Sequence, residues 1–90
     1  MDLKEKVTEA LRLSLHPDHI ELEDDDGISG VVVSAEFQTM SSLDRQKIID
    51  GALRHTSVRL SKSEMRNILA IAGLTPAEYE AIGSEATNGR

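Results

Sequence analysis

The sequence predicts an α/β fold of the α+β kind: element order α-β-β-α-β-α, a three-stranded mixed sheet, and helices packed on one face. Three observations carry this prediction. Asp2, Ser41, Ser61 and Thr75 each stand three positions before an acidic residue (Glu5, Asp44, Glu64 and Glu78), which is the signature of a helix start. A tight acidic turn separates two strand-like runs, which specifies an antiparallel hairpin. A further strand-like run follows a helix, and such a crossover is right-handed and joins parallel strands.

Asp2 caps the first helix, where Leu3, Val7, Ala10, Leu11 and Ser14 recur on one face. Pro17 stops it, because proline donates no backbone N–H and its ring clashes with the preceding turn. Ile20 and Leu22 alternate with Glu21 and Glu23, as in a strand with one dry face. Asp24-Asp25-Asp26-Gly27 forms the turn, and Gly27 and Gly30 tolerate backbone angles that side chains disfavour. Val31-Val32-Val33 is β-branched and uninterrupted, which predicts a central strand buried on both faces.

After the turn Gln38-Thr39-Met40, a capping box of Ser41 and Asp44 opens the second helix. It turns Leu43, Ile48, Ile49, Ala52 and Leu53 inward and ends near His55. Thr56–Leu60 reads as a linker, and Ser61 with Glu64 starts one or two helical turns through Met65. Ile68, Leu69 and Ile71 give the third strand, which ends at Gly73-Leu74. Pro76 takes the first position of the last helix, Ala77, Ala81 and Ile82 dock it, and Gly83 ends it. One domain therefore spans 1–83, and 84–90 is a flexible tail.

Ninety residues suffice for one domain with a modest core. There is no cysteine, which removes disulfides, thiolate nucleophiles and thiolate metal ligands from the chain. No charge-flanked apolar run resembles a signal peptide and no apolar stretch is long enough to span a bilayer, so the expected location is the cytoplasm. The net charge of −6 is unevenly spread. Residues 1–30 hold nine acidic and three basic side chains. Residues 43–66 hold Arg45, Lys47, Arg54, Arg59, Lys62 and Arg66 against Asp44, Asp50 and Glu64. Such a block is most often a solvated helix face; as a functional surface it would meet an anionic partner.

Few residues offer chemistry. His16-Pro17-Asp18-His19 holds two imidazoles and a carboxylate but no fourth ligand, so it reads as a solvated loop rather than a metal site. His55 falls at a helix C-terminus, where a positive ring suits the helix dipole. Reading Asp24-Asp25-Asp26-Gly27 as a calcium loop would put Leu22 and Val33 where carboxylates are required. Phe37 and Tyr79 are the only aromatic residues, too few for a base-stacking platform. No nucleophile–base pair and no glycine-rich phosphate loop after a strand is visible, so a non-enzyme is expected.

Three segments in this order resemble the BolA family: Val31-Val32-Val33-Ser34-Ala35-Glu36-Phe37, Ser42-Leu43-Asp44-Arg45-Gln46-Lys47-Ile48-Ile49 and Leu74-Thr75-Pro76-Ala77-Glu78-Tyr79. The resemblance extends to about Gly83 and implies a fold related to class II KH domains. Gly27-Ile28-Ser29-Gly30 has the spacing of the KH backbone clamp but lies between two strands, so turn chemistry accounts for it.

The resemblance also implies function. BolA-like proteins pair with monothiol glutaredoxins around a shared two-iron two-sulfur cluster; others are described as stress-linked regulators of transcription and cell shape. The family's ligand histidine stands nine residues before the proline of Thr-Pro, and that position here is Asn67. A carboxamide is a poor ligand for such iron, whereas neutral imidazole is a good one. The loop Asp24–Ser29, which often supplies a second ligand in the family, has neither histidine nor cysteine. The resemblance thus implies a non-enzymatic glutaredoxin partner in iron–sulfur handling or stress response; the residues identify no metal or cofactor ligand in this chain, so an iron–sulfur cluster would enter only as one shared with the partner. The alternatives are a nucleic-acid-binding transcriptional regulator using the basic 43–66 segment, or a metal-free interaction module. Arg45, Lys47, Arg54, Arg59, Lys62, Arg66 and Asn67 form the candidate partner or nucleic-acid surface.

Overall fold

A computed structural model describes residues 2–55 and 58–88, with side chains through residue 82. The elements are α1 (Leu3–Leu15), β1 (His19–Asp24), β2 (Ile28–Val33), a 3-10 helix (Ala35–Thr39), α2 (Ser42–Arg54), α3 (Lys62–Arg66), β3 (Ile68–Leu74) and α4 (Pro76–Asn88). The sheet order is β1-β2-β3, with β1 antiparallel and β3 parallel to β2. Element order and mixed sheet are those the sequence predicts.

Each helix start is a local hydrogen-bonding solution. Asp2 Oδ1 accepts from the Glu5 N–H at 2.9 Å, and Ser41 Oγ accepts from the Asp44 N–H at 3.1 Å. Ser61/Glu64 and Thr75/Glu78 are reciprocal boxes, the glutamate also accepting from the cap's own N–H at 2.9 and 2.8 Å. Ser41/Asp44 is only half a box among the described residues, since an aspartate is one methylene shorter than the glutamate that closes such boxes. At the other end of α1, His16 adopts a left-handed angle (φ 46) and Pro17 prevents continuation.

The strand registers sort side chains onto two faces. Ile20, Leu22, Ile28, Val32 and Ile71 face α1 and α2, where Val7, Ala10, Leu11, Leu15, Ile49, Ala52 and Leu53 complete the core. Phe37 joins them at 1% exposure. A Cβ on Gly73 would stand 3.0 Å from the Phe37 ring and 3.2 Å from Ile49, so that glycine leaves the ring its space. His19, Glu21, Glu23, Ser29 and Val31 face the other way. One-face packing holds for α1 and α2; Tyr79 of α4 reaches His19 and Glu21 on the opposite face.

Several sequence expectations change. Ser14 is exposed, and Leu15 fills that end of α1, because the leucine gains from burial what a hydroxyl would lose. Leu43 is 64% exposed. At 3.6 residues per turn it lies about 120° round α2 from Ile49, off the buried stripe. Val31 is only half-buried, because its face lacks the cover of α1 and α2. β2 stops at Val33, and the 3-10 helix swings Phe37 into the core, with Ser34 Oγ accepting from the Glu36 N–H and Asp18 Oδ2 from the Ala35 N–H. α4 runs through Gly83 to Asn88, since one interior glycine costs only about 1 kcal/mol relative to alanine. Ala77, Ala81 and Ile82 stay exposed, so they do not dock that helix. Of the expected linker, residues 56 and 57 lie outside the described residues, as do 89 and 90 of the expected tail; Val58 and Leu60 pack against the core.

Two glycines give opposite predictions. Gly30 has φ 154, and an added Cβ would collide with the Glu21 carbonyl oxygen of β1. Gly30→Ala should cost more than about 1 kcal/mol. Gly51 lies inside α2 with open space around it, so Gly51→Ala should raise stability by about 0.5–1 kcal/mol. Urea denaturation midpoints of the two variants check both signs.

Candidate functional site

The position expected to carry a cluster ligand and the loop expected to supply a second one do converge. Asn67 closes α3 and precedes β3, and its carbonyl oxygen accepts from the Ile28 N–H at 2.6 Å. Gly27, the last turn residue, packs so closely that a Cβ there would lie 3.0 Å from the same oxygen. The β1–β2 turn and the start of β3 are thus one surface. Its donors do not fit a cluster. Asn67 offers an amide, the turn offers Asp24, Asp25 and Asp26, and no group of three potential metal-ligating side chains converges among the described residues. His16 caps α1 and His19 opens β1 at the end of the hairpin opposite the β1–β2 turn, and His19 turns to Tyr79.

The basic segment divides into committed and uncommitted cations. Arg45 is nearly enclosed, its side chain 13% exposed. Its Nε donates to the Met40 carbonyl at 3.2 Å and its Nη1 to the Gly73 carbonyl at 3.1 Å and to Glu78 Oε1 at 2.7 Å. Its guanidinium carbon stands 5.8 Å from the Phe37 ring centre. This residue clasps the fold and is withdrawn from any docking surface. Gln46 beside it donates to the Ile71 carbonyl at 2.9 Å. Arg54 pairs with Asp50 one turn earlier at 2.8 Å. Among the described residues no carboxylate lies within ion-pair distance of Lys47, Arg59, Lys62 or Arg66. All four are exposed. His55 caps α2 and is likewise exposed.

Two carboxylates are held below the ordinary glutamate value of 4.5. Glu78 is lowered first by the Thr75 N–H and then by Arg45. Glu64 is lowered first by Lys6, whose ammonium lies 2.7 Å away and ties α1 to α3, and then by the Ser61 N–H. On the outer sheet face the Tyr79 hydroxyl donates to Glu21 Oε2 at 2.6 Å, which pushes the phenol above its ordinary value of 10. His19 Nε2 lies 3.3 Å from the same hydroxyl, with the two ring centres 5.2 Å apart. Sequence reading missed both the Arg45 clasp and this cluster. The alternation of β1 put His19 and Glu21 on one face, but nothing local announced that Tyr79 crosses to them.

The fold matches solved structures. A Bol-like protein from Babesia bovis superposes with TM-score 0.66 and 31% identity, covering 92% of this chain and 95% of that one. The chain belongs to the BolA family. Two further BolA structures support the fold: BolA1 from Arabidopsis thaliana (TM-score 0.63, 19% identity, 87% and 96% of the two chains) and the BolA domain of SufE1 from the same plant (0.61, 24%, 82% and 92%). No family model and no curated protein sequence matches the chain. Among the described residues of this BolA protein no helix is long and apolar enough to cross a membrane.

The depressed carboxylates set an acid dependence. A group whose folded pKa lies below its unfolded value stabilises the fold above the unfolded value, and that contribution disappears as pH falls through the folded one. Stability of this BolA chain should therefore decline as pH drops below 4.5. In Glu78→Gln the decline should be shallower, with lower stability at neutral pH. Urea midpoints measured across acid pH check the slope.

Proposed function

We propose that this BolA chain is a non-enzymatic, cytoplasmic partner of a monothiol glutaredoxin, acting in iron–sulfur handling or stress response without ligating the cluster itself. Membership of the family carries the partner reading. The convergence of Asn67 with the β1–β2 turn supports retention of the docking surface, and the donors on that surface argue against ligation. An amide and carboxylates present hard oxygen donors, where iron in a sulfide cluster takes thiolate or imidazole. A BolA domain also occurs as a part of SufE1, which supports reading the fold as a module that works next to other protein parts.

A nucleic-acid role for the 43–66 segment is the weaker reading. Arg45 and Arg54 are engaged within the fold, and the remaining cations sit on a chain of net charge −6 that opposes a long polyanion.

The test combines this chain with a monothiol glutaredoxin under anaerobic iron and sulfide loading. Calorimetry should show a complex, and the visible absorption and circular dichroism of the cluster should match those of glutaredoxin alone. Asn67→His, which supplies an imidazole on the same exposed surface, should change that spectrum. Absence of a complex sinks the partner reading. A changed spectrum with the unmodified chain sinks the claim that it contributes no ligand.

A further inference from the structure

The end of α2, residues 58–60 and α3 enclose an open groove of about 590 Å³. Leu53, Val58, Leu60 and Met65 give it an apolar lining, with Leu53 buried and the other three half-buried. Arg54, Arg59, Lys62 and Arg66 stand exposed around it. Its size falls within the ~300–1,000 Å³ common to ligand sites.

We propose that this groove docks an acidic segment of a protein partner that inserts large aliphatic or aromatic side chains between the cations. Charge complementarity selects the sign. Among the described residues Arg59, Lys62 and Arg66 have no carboxylate within ion-pair distance, although the chain as a whole is acidic. The apolar lining selects the class. A peptide offers apolar side chains to fill it, whereas a single-stranded nucleic acid stacks its bases on aromatic side chains, and neither Phe37 nor Tyr79 lines the groove; a duplex presents phosphates and leaves an apolar lining unfilled. A short segment also feels mainly the local cations, since exposed charges more than about 8–10 Å apart are largely screened at physiological salt.

The inference stands apart from the glutaredoxin reading. Asn67 and the β1–β2 turn do not line the groove, and the two ideas are tested with different probes. A random peptide library is selected on the full chain and counter-selected on an Arg59→Glu/Lys62→Glu variant, whose thermal midpoint is measured alongside. Enriched peptides should combine Asp or Glu with Leu, Ile, Met or Phe. The best of them should shift the amide resonances of Leu53, Leu60 and Met65. The charge-reversed variant should bind it at least about tenfold more weakly with a flatter salt dependence. Leu60→Gln should weaken binding while leaving the salt dependence intact. Failure to enrich peptides, enrichment without acidic residues, or shifts confined to other elements overturns the proposal. So does a single-stranded or duplex oligonucleotide that displaces the peptide with higher affinity, or self-association of the chain through the same amides.

Discussion

One side chain holds four parts of this protein in register. Arg45 projects from the first turns of α2 and gathers the end of the 3-10 helix, the last residues of β3 and the first turn of α4 around a single guanidinium. The planar, permanently charged fork is suited to this, because it presents several donors at fixed angles and stacks on an aromatic ring. Phe37 supplies that ring and is itself seated in the core by the glycine at 73. The arrangement explains why the chain leaves β2 through a tight turn rather than a longer strand. Phe37 must descend into the core within a few residues of Val33, and Arg45 must arrive above it.

What the sequence revealed and what it concealed divide along physical lines. Helix starts were legible because a cap is a local event: Asp2, Ser61 and Thr75 meet their partners three residues away whatever the rest of the chain does. The hairpin was legible because its turn and its alternation are both short-range. Burial of particular residues was less so. The fates of Leu43 and Val31 depend on which faces of helix and sheet find cover, and that is decided by elements far off in sequence. The stop expected at Gly83 failed because a glycine penalty is small beside the gain from continuing backbone hydrogen bonds. At the candidate site, counting from Pro76 leads to Asn67. Its contact with the β1–β2 turn follows from parallel pairing between β2 and β3, a long-range fact that only the fold supplies.

The same division applies to the charged residues. Six cations between 43 and 66 looked alike in sequence. The structure separates them by work. Arg45 is architectural, Lys47 stands exposed on α2 away from the groove lining, Arg54 answers a neighbour on its own helix, and Arg59, Lys62 and Arg66 gather around an apolar groove. A charge count could not have made that separation, because it depends on which carboxylates and carbonyls each side chain reaches. The site at Asn67 shows the converse case. Asn67 meets the β1–β2 turn through its backbone carbonyl, a contact that does not depend on which side chain stands there.

The hydrogen bonds from Gln46 and Arg45 to the Ile71 and Gly73 carbonyls have a consequence for how molecules of this protein meet. β3 is the last strand on its side of the sheet, and these carbonyls are the acceptors that another strand would use to extend it. Bare strand edges invite sheet growth between molecules, the first step toward aggregates. Side chains from α2 occupy the acceptors before a foreign backbone can, and the irregular pairing at Ile28/Ser29 disturbs the flat geometry that a growing sheet requires. The crossover helix thereby guards the β3 margin of its own sheet.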